Sequence, residues 1–440
     1  MTPDGSAQPG SERARRAMLT DPPAARHLGT LETRALGVAF RITEAVPMMA
    51  GRWRGRAMLV VMALAVALGA AACAHQTIPA AARSRTASSH PPWQTITQVW
   101  VVGTNSVWAW TQDTAGTGPQ GIWRTTDAGA HWTAVTPAGF GQQTGKRTIT
   151  QMFALNAHEA WLVHGRIAFG SAQILMATVD GGRHWASIGP LPARDGCTIQ
   201  FVAAEEGFCI QEAAALGSEG VTIYATRDGG RRWTRVSRPA PLGTSSPGTL
   251  PDNCDKAVSF TNALQGWAAF TCAAGGPFLY RTENGGATWV AAMVAPPPFS
   301  LAPGSGFAAT PKLTGRDGAV PFLIDGPTFH TVIYVTSDGG LSWRPVMPPG
   351  PPTLWFVDIL TPFRWRLVAG RRILSTDNAG QSWSSIHTSV RFACYRNAPP
   401  SPPTPFADYV TPQIGWIVSQ TLWHTTDGGQ TWKRIAVPGT

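Results

Sequence analysis

Short runs of β-branched and aromatic residues punctuated by turn residues dominate the chain from about residue 93 onward. Ile223-Tyr224-Ala225 and Ile333-Tyr334-Val335 each lead into a polar turn, and runs such as Trp432-Lys433-Arg434-Ile435 lead out of one. Two such runs about a short turn predict an antiparallel hairpin. The turn has a fixed form, Thr-x-(Asp/Asn)-x-Gly-x-x-Trp, and it occurs seven times. Its third positions are Asp127, Asp180, Asp228, Asn284, Asp338, Asn378 and Asp427, spaced 53, 48, 56, 54, 40 and 49 residues apart. A repeat of ~40–50 residues matches one four-stranded propeller blade. The prediction is therefore an all-β protein, a seven-bladed β-propeller of four-stranded antiparallel blades over 93–440.

A second signal lies upstream of most copies. Trp108, Trp161, Phe208, Trp267, Trp365 and Trp416, often after Gly, predict the start of a second strand. Runs such as Ile199-Gln200-Phe201-Val202 and Ala257-Val258-Ser259-Phe260 precede it and predict an inner strand. The fifth repeat departs: Pro311-Lys312-Leu313 and Gly318-Ala319-Val320-Pro321-Phe322 stand where the Gly-aromatic signal is expected.

Within the motif each residue type has a turn role. Gly supplies a positive φ without a Cβ clash. The Asp or Asn side chain accepts backbone N–H groups two or three residues on, so charge is not essential. Trp brings a large apolar face suited to the wedge between twisted blades and an indole N–H that needs an acceptor.

These residues resemble the BNR or Asp-box repeat, and the paired Gly-Trp and Thr-x-Asp-Gly-Gly-x-x-Trp signals are similar to propellers of the photosystem II stability/assembly factor type. The same repeat occurs in sialidases, xyloglucan-degrading hydrolases and sortilin-type receptors, so the resemblance implies a scaffold more than an activity. It also implies that the Asp-box is a structural turn, in agreement with the turn chemistry.

The N-terminal region reads differently. Arg52, Arg54 and Arg56 precede the apolar run Ala57 to Leu68 and then Gly69-Ala70-Ala71-Ala72-Cys73. A basic stretch, a short apolar core and small residues form an export signal over 48–73. The apolar core falls short of the ~20 residues of a membrane span. Cys73 resembles a lipobox cysteine, which is acylated to anchor the chain, although Ala70 stands where Leu or Val is usual; ordinary cleavage after an Ala-x-Ala site is the alternative. Residues 1–47 read as a non-structural extension, and 74–92, rich in Ala, Ser, Thr and Pro, as a disordered tether. The expected location is extracytoplasmic, anchored to a bacterial cell membrane.

Export permits disulfides. Cys197 with Cys209 and Cys254 with Cys272 flank the inner hairpins of the third and fourth repeats and are the candidate pairs, leaving Cys394 over. No zinc-ligand spacing is present. The net charge is +10, but residues 73–440 carry only +6, with 26 Lys or Arg against 20 Asp or Glu. That moderate charge suits anionic surfaces such as wall polymers or lipid head groups. Arg231-Arg232, Arg364 with Arg366 and Arg371-Arg372 read first as solvated strand ends. No motif supports nucleic acid or a cofactor, and a monomer is expected.

For catalysis, a sialidase needs a Tyr nucleophile with a Glu partner, yet Tyr224, Tyr280 and Tyr334 fall on strands leading into the motif. Tyr409 alone has an inner-strand position. Asp358 and Asp408 occupy matching inner-strand positions in repeats six and seven, and paired acids can serve as general acid and base. A structural repeat produces such matches by itself, so the first expectation is a non-enzymatic protein that binds a protein partner or envelope polymer and assists assembly; an extracytoplasmic glycoside hydrolase is the alternative. The Pro-rich segments Pro239 to Pro251, Pro296 to Pro298, Pro348 to Pro352 and Pro399 to Pro405 join one blade to the next, which puts recognition on the face opposite the motif turns.

Overall fold

The computed structural model describes residues 94–438, apart from 114–119, 141–147, 166–170, 194–195, 213–219, 240–246, 252–255, 273–274, 300–306, 325–329, 351–355, 389, 393–406 and 420. The extension, the export signal, the tether and Cys73 lie outside the described residues. No helix occurs among those described.

Seven antiparallel sheets follow one another along the chain and form a seven-bladed propeller. In blade 1 the strands are Gln94–Val101, Val107–Asp113, Gln120–Thr125 and Thr133–Ala134, hydrogen-bonded in chain order from the inside outward. Blades 2, 3, 4, 6 and 7 repeat that order, with inner strands Thr148–Ala154, Thr198–Phe201, Ala257–Phe260, Phe356–Thr361 and Ala407–Tyr409. Blade 5 is elaborated. Its inner edge is split into Phe307–Ala308 and Lys312–Thr314, both paired with Asp317–Ile324, and Met293–Val294 adds in parallel outside Ser342–Val346. The missing Gly-aromatic signal thus marks a broken inner strand; Gly318 still pairs with the motif residue Thr336, as Gly266 pairs with Thr282.

Each motif forms the turn between third and fourth strands. In all seven, the Thr hydroxyl donates to the Asp or Asn Oδ1 at 2.7–3.0 Å. That hydroxyl also accepts the motif Gly N–H at 2.9–3.0 Å. Oδ1 in turn accepts the N–H four residues on at 2.8–3.0 Å. The reach is thus four residues in every copy, with the expected three-residue bond also made from Leu341 N–H to Asp338 Oδ1, while the Thr hydroxyl captures the intervening Gly N–H. Asn fits by reversing polarity: Asn284 Nδ2 donates to Thr288 Oγ1, whereas Asp427 Oδ2 accepts from Thr431 Oγ1.

The motif Trp mostly stands just before the fourth strand rather than within it; Trp343, inside Ser342–Val346, is the exception. Trp185 crosses a blade junction, donating its indole N–H to Val135 O at 2.8 Å and packing edge-on to Trp108.

Seven apolar clusters fill the seven junctions between blades. Trp161 of blade 2 stacks on Phe201 of blade 3 at 3.8 Å, and Phe208 of blade 3 on Phe260 of blade 4 at 3.5 Å. The ring closes by side chains alone: Val99, Val107 and Ala109 of blade 1 meet Trp416, Leu422 and Ile435 of blade 7. Among the described residues no strand is exchanged across that junction.

The motif glycine is what lets neighbours approach. A Cβ on Gly340, at φ +80°, would stand 1.9 Å from Cη2 of Trp267 in the preceding blade, and one on Gly129 would stand 2.4 Å from Ile435 across the ring closure. In some copies the residue just before tolerates a side chain: Ala128 and Ala379 take φ of 57° and 55° there, and a Cβ on Gly339 meets nothing within 4 Å, although one on Gly285 would stand 2.8 Å from Ala263 O. Gly339→Ala should therefore cost only the left-handed strain, roughly 1–2 kcal/mol. Gly340→Ala adds overpacking of a further ~1–3 kcal/mol. Denaturant unfolding of the two variants checks this; equal losses would contradict the close-approach role.

Candidate functional site

Register defines a ring of equivalent positions on the inner strands. Trp100, Phe153, Gln200, Ser259, Lys312, Asp358 and Asp408 each pair with a corresponding second-strand residue, respectively Trp108, Trp161, Phe208, Trp267, Ala319, Arg366 and Trp416. Blades 1 and 2 present aromatics at this level, blades 3 and 4 an amide and a hydroxyl, and blades 5 to 7 a lysine and two carboxylates.

The ring position can clasp neighbouring blades. Gln200 Oε1 accepts the Phe260 N–H and its Nε2 donates to Phe260 O, both at 2.9 Å. Asp358 does the corresponding job between blades 6 and 7: its Oδ2 accepts the Tyr409 N–H at 2.8 Å. Its Oδ1 lies 3.6 Å from Lys312 Nζ of blade 5. Asp358 is only 6 % exposed. Burial raises its pKa, against the pull of Lys312, the Tyr409 N–H and Arg366.

Asp408 is placed alike and used differently. It accepts no hydrogen bond from the described residues, and it lines a recess of about 400 Å³ with Trp100, Val101, Ala154, Leu155 and Val410. Burial, and then the Asp358 charge, push its pKa up to about 6, with Lys312 pulling the other way. Surface area makes Asp408 only partly buried, yet the protein packed about its carboxylate is enough to disfavour the anion. The two acids are therefore electrostatic neighbours with one cation, Lys312, acting on both.

Other candidates have structural surroundings. The Tyr409 ring is buried, lies edge-on to Trp432 at 6.2 Å, and has its hydroxyl pKa pushed up by burial. Tyr334 is likewise buried with a raised pKa. Arg366 donates to Trp365 O at 3.0 Å and lies 3.7 Å from Asp377, while Arg231 donates to Asp228 O within its own turn. Cys197 and Cys209 form a disulfide with Cα atoms 5.4 Å apart. Cys254, Cys394 and the side chain of Cys272 lie outside the described residues. Asp127 and Asp180 are held low by N–H and ring contacts from His131 and His184, Asp127 at about 2.

The recess beside Asp408 includes Val101 to Gly103 and Leu155, where inner strands end next to the motif turns. Two further recesses, about 500 and 630 Å³, include motif residues Thr226 with Asp228 and Thr336 with Ser342. These three recesses lie at the motif face; most of the Pro-rich joins expected to carry recognition on the opposite face lie outside the described residues. Lys312 and Gln200 were missed as members of the site; Gln200 carries a signal in its spacing before Gly207-Phe208, whereas Lys312 has none because its repeat lacks the Gly-aromatic pair.

No family model matches the chain, and no curated protein matches it in sequence. Solved structures do match. A prolyl endopeptidase structure aligns with a TM-score of 0.51 at 8% identity, over 78% of this chain and 50% of that one. The similarity is one of fold. This chain spans half the length of that endopeptidase. YCF48 from Cyanidioschyzon merolae aligns at 0.44 with 14% identity, over 76% of this chain and 97% of that one. AFV00434, an ancestral GH74 enzyme, aligns at 0.46 with 16% identity, over 80% and 49%.

The pKa directions give a stability prediction. A carboxyl whose folded pKa exceeds its unfolded value near 4 destabilises the fold once ionised, so the Asp408 penalty is absent below pH ~4 and complete above about pH 6. Asp408→Asn should therefore gain ~1–3 kcal/mol at pH 8 and nothing at pH 4. Urea unfolding at both pH values checks it; a loss at pH 8 would show that the carboxylate is structural.

Proposed function

We propose that the chain is a non-enzymatic binding propeller, exported and held at the cell membrane through Cys73, that binds a protein partner or envelope polymer and assists assembly. The observation that carries the non-enzymatic reading is the engagement of Asp358. A glycosidase of the two-carboxylate kind needs both acids at the substrate. Asp358 is instead buried and spends its carboxylate on the Tyr409 N–H and Lys312, repeating what Gln200 does with an amide. Export and anchoring rest on the basic, apolar and small-residue succession ending at Cys73.

The rival glycoside hydrolase reading has one observation in its favour. Asp408, with a pKa of about 6 beside a recess, has the protonation behaviour of a general acid.

The purified full chain separates the two. Retention on isolated native envelopes with no sugar released from a broad glycan panel supports binding; release of sugar by the wild type, lost in Asp408→Asn, overturns it. Anchoring has its own readout in cell fractions. Cys73→Ala should move the protein out of the membrane fraction, and an unchanged distribution would defeat the anchor.

A further inference from the structure

We infer that the recess between the inner strands of blades 7, 1 and 2 is a binding site for an alkylammonium group, of the kind a lysine side chain presents, with Asp408 as its counter-ion. This names the group that the binding reading leaves open, and it rests on that reading.

The argument begins with charge accounting at the ring. Lys312, Asp358 and Asp408 act on one another, and together they carry one positive and two negative charges when ionised. The Lys312 ammonium stands beside Asp358, 3.6 Å from its Oδ1, and Asp358 also has the Tyr409 N–H. Asp408 feels Lys312 only at longer range and accepts no hydrogen bond from the described residues. It is the less compensated of the two carboxylates, and an incoming cation would do for it what Lys312 does for its neighbour.

The walls select the kind of cation. Val101, Ala154, Leu155 and Val410 line the recess with aliphatic surface, and Trp100 adds an indole. An aliphatic stem gains from apolar burial, and a cation near an indole face gains ~0.5–2 kcal/mol. A hydrated metal ion would find one carboxylate and no other oxygen side chain among these lining residues, which suits it poorly. A carboxylate that is raised in pKa, accepts no hydrogen bond from the described residues and lines a cavity costs stability without returning any to the fold, and such groups concentrate at functional sites.

Protonation makes the site pH-dependent. The charged groups acting on Asp408 are Asp358 from blade 6 and Lys312 from blade 5. With Asp408 at about 6, its ionised fraction falls about tenfold between pH 8 and pH 5. Cation binding should weaken by that factor.

The test uses the full chain and n-butylammonium chloride, followed by calorimetry or by NMR shifts of the backbone amides of Val101 and Leu155. The expected result is saturable binding at pH 8, about tenfold weaker at pH 5, absent for n-butanol, and lost in Asp408→Asn. Lys312→Met, which withdraws the internal cation, should tighten it. Nα-acetyl-lysine methylamide should bind and glucosamine should not. Binding that survives Asp408→Asn, weakens in Lys312→Met, or favours glucosamine overturns the inference. Absence of any amine binding with intact envelope retention defeats this site alone. Sugar release by the wild type would instead defeat the binding reading.

Discussion

The whole ring depends on one steric requirement: at six of the seven motif turns, all but that of Gly286, a side chain of the preceding blade comes up against a residue that has none. Trp267 at Gly340, Leu175 at Gly230 and Ile435 at Gly129 all occupy the space a Cβ would take. The Thr hydroxyl and the Asp or Asn carbonyl oxygen hold the backbone in the shape that presents this gap. The motif is thus a local hydrogen-bonded turn whose product is long-range packing. Because no strand among the described residues is exchanged at the closure, the junction of blades 7 and 1 relies there on side-chain packing.

Seven repeated junctions give a rigid frame in which one register position on each inner strand is free to vary. Variation there divides labour. Gln200 and Asp358 tie adjacent inner strands together, and Lys312 reaches Asp358 from the blade before. Asp408 ties nothing. Since the next position around the ring is Trp100 of blade 1, the junction that closes the propeller is also where a carboxylate, an indole and an aliphatic recess meet. The scaffold has little use for the charge at that point, and this is why it is the place to look for recognition.

The turn was legible in the sequence because its chemistry is local: Thr, Asp or Asn, and Gly lie within four residues of one another, and seven copies fix the blade count. The Cys197 and Cys209 juxtaposition was legible for the same reason, since one hairpin separates them. The ring position was only half legible. Asp358 and Asp408 stood out by their matching inner-strand positions in repeats six and seven, but the partner of Asp358 lies 51 residues away at Tyr409, and nothing local announces it. Lys312 was hidden because the inner strand of blade 5 is broken, and the bulges between Ile96 and Gln98 and between Ile149 and Gln151 shift Trp100 and Phe153 out of simple alignment. The expectation that recognition lies opposite the motif turns rests on Pro-rich joins that fall largely outside the described residues, whereas the recess beside Asp408 arises where inner strands from three blades converge, which no local sequence signal announces.

Asp408 is the least compensated carboxylate of the ring among the described residues, and its titration tests that most directly. The carboxyl carbon of Asp408, followed by NMR in the free protein between pH 3 and pH 9, should show a midpoint near 6, displaced upward in Lys312→Met as the one favourable charge is withdrawn. A midpoint near the ordinary aspartate value of about 4, insensitive to Lys312→Met, would contradict it.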